Sequence, residues 1–279
     1  MKFLRYIFIS FGAMFIAGIG ISAFDGFDGK TNLLGSVLVQ EGDISCPDDM
    51  IIVSDKKKFF CIDKYENSAG SSCMNKNPKN KRETDENIAL PSCKSISVEG
   101  VFPWRNINRD QAELLCSRSG KRLPKNDEWY KASLGTVDKN EKWSKRDCNV
   151  NNVGSGRPDP TGSGKACVSD SGAYDMIGNV WEWVSETVYD GKLKGVILPS
   201  EGYVKDISDN GIASKTDKNT FSPEFFNDYF WINKVGVSAI FRGGYWASGS
   251  DAGLYAVNIT IPASFTGGAV GFRCVKDLD

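Results

Sequence analysis

Behind Lys2 and Arg5 the chain runs apolar from Tyr6 to Phe24, with no charge until Asp25. A basic start, an apolar stretch and the small residues Ala17, Gly18, Gly20, Ser22 and Ala23 predict an export element over residues 1–24. Its length suits a cleaved signal peptide and an uncleaved membrane anchor equally. Residues 25–45 mix Gly and Asp with one short apolar patch and read as a linker. Met50–Val53 and Phe59–Ile62 are β-prone runs either side of the charged turn Ser54–Lys58, and predict a hairpin. Residues 67–95 are polar and read as a loop. Asn108 is placed to cap a helix carrying Ala112, Leu115 and Cys116 on one face, stopped by Gly120. After Pro124 a second helix is predicted, with Asn126 as cap and Trp129 and Ala132 inward. Residues 138–172 are rich in Gly, Asn, Asp and Ser, and a further polar stretch follows residue 184 to about 235; both predict irregular chain. The C-terminal part alternates short β-prone runs with Gly and Pro: AIFRGGYW, AGLYAVNITI, AVGFRCVK.

Charge and composition narrow the chemistry. Lys+Arg is 34 against Asp+Glu 35, so no global basic field invites nucleic acid. There is no histidine, which removes imidazole-based triads, His-ligated zinc or iron, and His proton shuttles. All eight cysteines lie after the apolar run, and an even count in an exported chain predicts disulfides. Cys46–Cys61, Cys73–Cys93 and Cys148–Cys167 would close short loops, leaving Cys116 with Cys274. Spacing alone does not choose among the pairings, and several free buried thiols are the alternative.

Six motifs follow one another: CPDDM (46–50), FCIDKYENS (60–68), GKRLPKNDEWYKAS (120–133), GAYDMIGNVWEWVSE (172–186), FRGGYW (241–246) and GFRC (271–274). In this order the chain resembles the formylglycine-generating enzyme (sulfatase-modifying factor) family over residues 46–279. The resemblance implies an α+β fold of the C-type lectin-like kind: two helices, short antiparallel sheets, much irregular chain and disulfide staples. It further implies a calcium site at the GNVWEW turn, with Asp175, the carbonyls of Gly178 and Val180, and the Glu182 carboxylate as ligands. The alternative is that Asp175 and Glu182 only cap the turn. The family's oxidases use a cysteine pair that binds copper; the matching positions here fall near Ser248 and Gly253, which offer no thiolate. No copper and no oxidase activity are therefore expected. A second enzymatic branch of the fold needs histidine-bound iron, which this sequence does not supply.

Residues 245–270 contain no Lys, Arg, Glu, Gln or Met, and Asp251 is their only charge, in a chain that is 25% charged. Burial as core strands would explain that bias, but Ser248, Asp251, Thr260 and Thr266 are poor core material. The segment also resembles the variable region of diversity-generating retroelement target proteins. There, mutation of Asn codons at adenines never yields Lys, Glu, Gln, Met or Trp. On that resemblance Tyr245, Ala247, Ser248, Asp251, Thr260, Ile261, Phe265, Gly267 and Ala269 are variable positions. Gly243, Gly244, Trp246, Gly249, Ala252, Gly253, Ala256 and Gly271–Cys274 are framework. The i, i+2 spacing of Tyr245 and Ala247, and of Phe265, Gly267 and Ala269, would put them on one face of extended chain. Tyr245 and Phe265 are the expected anchors. The implied function is non-catalytic binding of a protein or surface ligand, secreted or held at the cell surface, touching membrane only through the N-terminal segment. An undiversified extracellular module of the same fold is the alternative.

Overall fold

The computed structural model describes residues 45–55, 58–151 and 157–278. The export element and most of the linker lie outside the described residues. The expected hairpin pairing is present: β1 (Met50–Asp55) pairs antiparallel with β2 (Lys58–Asp63), Met50 opposite Asp63. The last strand, β14 (Val275–Asp277), adds to the other edge of β2. Between them the segment read as a loop holds β3 (Asn67–Ala69), helix α1 (Lys81–Ile88) and β4 (Ser95–Ser97). α1 escaped sequence reading because it is polar all round and has no apolar stripe. It forms because the Asn80 side chain accepts from Glu83 N at 3.0 Å, Lys81–Asp85 and Arg82–Glu86 pair one turn apart, and buried Asn87 exchanges hydrogen bonds with Asn75.

α2 (Arg109–Ser117) starts at Asn108 with a capping box: its side chain accepts from Gln111 N at 2.8 Å, while its own N–H donates to Gln111 Oε1. α3 (Asn126–Ser133) begins one residue earlier than the sequence suggested, with Lys125 at the cap. Asn126 lies inside because tertiary partners claim it: its N–H donates to Glu186 Oε2 at 2.7 Å and its side chain to the Asn210 carbonyl. Residues 138–172 have no regular helix or strand among the described residues, and Cys148–Cys167 bridges them.

The polar stretch after residue 184 is the larger correction. Nearly half of it is strand: the end of β5 (Trp181–Tyr189), then β6 (Lys192–Leu193), β7 (Val196–Ile197), β8 (Gly202–Ile207), β9 (Ala213–Asp217) and β10 (Tyr229–Ile232). Lysines and acids on its solvent face hid the alternation. These strands join β11 (Val237–Arg242) and β12 (Val257–Ile259) in the order β7-β6-β5-β11-β12-β10-β8-β9, with β13 (Val270–Gly271) alongside β5. β5 and β11 separate two cores. Val184, Val188 and Ile240 face a cluster with Trp129, Phe60, Ile62 and Phe230; Trp181, Trp183 and Phe241 face one with Trp104, Leu115 and Phe272. The motif tryptophans 129, 181 and 183 are thus interior.

Four disulfides join Cys46–Cys61, Cys73–Cys93, Cys116–Cys274 and Cys148–Cys167. Cys116–Cys274 ties α2 to the chain before β14 across 158 residues, a bridge worth about 2–4 kcal/mol. Among the described residues no helix is long and apolar enough to cross a membrane.

Candidate functional site

β11 ends at Arg242, which is fully buried against the Trp129 ring at 4.9 Å and donates to the Gly211 and Leu254 carbonyls. Burial lowers its guanidinium to about 10. Gly243 and Gly244 then turn the chain at φ +90 and +91. A Cβ at Gly243 would come within 2.6 Å of the Met176 carbonyl, so only glycine passes. The loop beyond is pinned by its backbone. Tyr245 N donates to Ser248 Oγ and Ser248 N to the Tyr245 carbonyl, both at 3.0 Å; Trp246 N donates to the Asn179 carbonyl and Gly249 N to Val150. Tyr245, Ser248 and Asp251 are half-exposed and Ala247 is exposed on this frame.

The other positions expected to vary arrive from different places. Thr260 and Ile261 follow the far end of β12, where the Thr260 hydroxyl donates to Asn258 Oδ1 at 2.7 Å. The Ile261 carbonyl accepts from Ala239 N. Ala269 precedes β13, its carbonyl accepting from Trp181 N at 2.9 Å. Neither i, i+2 set sits in extended chain. The glycine pair ends β11 before Tyr245, and the Phe265 ring folds over Gly267, 2.7 Å from where a Cβ would stand. All nine positions are nonetheless exposed or half-exposed, while every framework residue except Trp246 and Gly249 is buried.

The structure also places residues beside this loop that the sequence reading missed. Tyr229 and Trp231 share one face of β10, and Tyr203 lies opposite Tyr229 on β8. Their rings run Tyr203–Tyr229 at 5.0 Å, Tyr229–Trp231 at 4.8 Å and Trp231–Trp181 at 5.6 Å. The alternation in Tyr229–Ile232, with Phe230 and Ile232 buried, was the available signal.

Under the loop, Gly253 touches two buried carboxylates. Asp138 Oδ2 accepts from Leu254 N at 3.0 Å and Asp228 Oδ2 from Tyr255 N at 2.7 Å, while Asp228 Oδ1 has no hydrogen-bond partner. Burial pushes the Asp138 carboxyl up to about 7, and burial together with the Asp138 charge pushes Asp228 well above the usual carboxylate range. An acid whose pKa is raised on folding holds extra protons in the folded state. Its stabilising contribution is complete below about pH 4 and is lost as pH rises through about 7. Asp228→Asn is therefore expected to gain stability over the wild type as pH rises from 4 to 8. Paired urea titrations check this, and a constant difference across that range would refute it.

A copper site does not fit. All eight cysteines are in disulfides, Ser248 accepts from the loop backbone, and a side chain at Gly253 would strike Asp228 Oδ1 at 2.1 Å. Of the residues expected to hold calcium, the Glu182 and Asp175 side chains already accept hydrogen bonds within the protein. Both oxygens of Glu182 accept from buried Arg273, at 2.6 and 2.7 Å, and Oε2 also accepts from Trp129 Nε1. Asp175 Oδ2 accepts from Gly162 N, Val180 N donates to Glu66 Oε1, and Gly178 N donates to the Gly243 carbonyl. Among the described residues no group of three or more carboxylate, Cys or His side chains is placed to hold an ion. Treatment with EDTA is expected to leave the melting midpoint unchanged; a drop reversed by calcium would contradict this.

The sulfatase-modifying factor enzyme 1-like domain matches residues 29–278, and the chain belongs to that family, with its C-type lectin-like fold. The match begins inside the stretch read as linker. No curated protein matches the chain. Among solved structures it is similar to the Major Tropism Determinant I1 variant, at 17% identity and TM-score 0.42, over 83% of this chain and 53% of that one. It is also similar to Treponema denticola variable protein 1, at 12% and 0.44 over 82% and 91% of the two chains. A third is PvdO from Pseudomonas aeruginosa, at 14% and 0.44 over 82% and 90%. The chain spans about half the length of the Major Tropism Determinant.

Proposed function

We propose that the chain is a non-catalytic binding protein that presents a diversified C-terminal surface on a disulfide-stapled scaffold. The observation that carries this reading is the sorting of residues 243–274. The nine positions read as open to adenine mutagenesis are exposed or half-exposed, and the framework between them is buried except at Trp246 and Gly249. Such a surface can change side chains without changing backbone. The lack of any free thiol removes the family's copper oxidation from the reading. The carboxylate that the resemblance gives to calcium, Glu182, is held by Arg273 and Trp129. Four disulfides suggest an oxidising, extracellular setting. There the chain, secreted or anchored by its N-terminal segment, would bind a protein or surface ligand rather than nucleic acid.

A coding repeat of residues 241–274, differing only at adenines and close to a reverse transcriptase gene, is the expected genomic signature; without it the undiversified module stands. Substitutions at Ala247 and Thr260 within the permitted set are expected to shift stability by no more than about 0.5 kcal/mol, as read from urea midpoints. Turnover of a sulfatase-motif peptide with copper would overturn the binding reading outright.

A further inference from the structure

The variable loop does not stand alone on its face. Tyr203, Tyr229 and Trp231 are half-exposed and in ring contact, and Phe221, 61% exposed, extends the row at 4.8 Å from Tyr203. None of the four lies within residues 243–274, so they are constant whatever the loop carries. Asp251 stands two residues before Gly253, which packs against Asp228 next to Tyr229, and its charge helps to raise the Tyr203 and Tyr229 phenols, behind burial in both and behind the Glu201 charge in Tyr229. Asp217 lies opposite Tyr203 across the β8–β9 ladder.

The cations nearby are already engaged. Lys218 pairs with Glu201, and Lys205 Nζ donates to the Phe221 carbonyl at 2.9 Å. From Gly243 to Phe272 there is no Lys or Arg at all. Among the described residues Asp251 forms no ion pair, and burial alone perturbs it. The strip therefore combines aromatic ring faces, whose quadrupole attracts cations, with a carboxylate left without a counter-charge.

Resting on the binding reading above, we propose that the recognition surface is composite: a constant aromatic strip, Tyr203–Tyr229–Trp231, works beside the variable loop, and with Asp251 in place it accepts a lysine or arginine side chain of a partner protein. The strip supplies sequence-tolerant ring contact. The loop residue sets the charge preference, so another residue at 251 redirects the same strip to a different group.

The test uses the purified full chain and two end-capped tripeptides, Gly-Arg-Gly and Gly-Glu-Gly, titrated while the Tyr and Trp ring resonances are followed by NMR. The arginine peptide is expected to shift Tyr229 and Trp231 saturably, and the glutamate peptide to leave them in place. Asp251→Asn is expected to weaken the arginine peptide by about fivefold, and Tyr203→Leu by a similar factor, with melting midpoints unchanged. Equal shifts from both peptides, shifts confined to other residues, or an arginine affinity indifferent to Asp251→Asn would each overturn the proposal. The two readings fail separately. Loss of the strip leaves the adenine-patterned repeat untouched, and a saturable arginine shift without such a repeat leaves the strip as the binding face of an undiversified module.

Discussion

Replacing Arg273 with Met is expected to lower stability by about 3–5 kcal/mol, the largest single effect in the molecule. Arg273 is completely buried and makes two parallel hydrogen bonds to Glu182, itself 1% exposed. It also donates to the carbonyls of Asp63 and Tyr174, holding β2 and the 172–178 turn together. Around it lie two further buried acids, Glu66 and Asp175. Burial and the neighbouring Asp175 and Glu182 charges raise Glu66, and the Arg273 charge opposes them, with the Asn179 hydrogen bond behind it. Without the guanidinium, Glu182 is left buried and unpaired, two carbonyls lose their donor, and three acids face one another. Glu182→Gln placed in the Arg273→Met background is expected to recover part of the loss, because the uncompensated charge is then gone while Trp129 Nε1 keeps an acceptor. Urea midpoints of the two single variants and the double variant measure this. A loss below about 1 kcal/mol in Arg273→Met would show that the pair does not bear on stability.

The same contact marks a limit of what the sequence discloses. Asp175, Gly178, Val180 and Glu182 were legible as a turn, and the resemblance gave that turn a calcium ion. Nothing in its spacing says that Glu182 will meet an arginine 91 residues away. Local physics was legible: the pairing of the two β-prone runs as a hairpin, Asn108 as a helix cap and Trp129 as an inward side chain. The three cysteine pairs that would close short loops, and the pair left over, are the pairs the structure joins, although spacing alone did not choose them. Features decided by tertiary partners were not legible. α1 has no apolar stripe, Asn126 was drawn from cap to interior by Glu186 and Asn210, and the Tyr203–Trp231 strip lay inside a stretch whose charges masked its alternation. The nine positions named on the resemblance to variable regions are exposed or half-exposed. The assumption of extended chain failed at Gly243–Gly244, where positive φ replaces a strand by a turn.

Gly253→Ala is expected to lower stability by about 3 kcal/mol, combining overpacking with strained or broken hydrogen bonds. The backbone there is ordinary for an L-residue; the obstacle is space. The new methyl would stand 2.1 Å from Asp228 Oδ1 and 2.3 Å from both Asp138 Oδ2 and Asp228 Oδ2. Neither carboxylate is free to swing away, because Tyr255 N and Leu254 N hold them from the same loop and Lys139 N holds the other Asp138 oxygen. Gly249 is the contrasting case: it has φ +62 but nothing within 4 Å of its missing Cβ. Gly249→Ala should then lose only about 1 kcal/mol, from backbone strain alone. If crowding by the acids is the cause, Asp138→Ala combined with Gly253→Ala will be less damaging than the sum of the two single changes. Strict additivity, or equal losses at 249 and 253, would remove that explanation. The consequence reaches the chemistry. A cysteine at 253 needs the same space as the methyl, so restoring a thiol pair at 248 and 253 should destabilise the loop before any copper is bound.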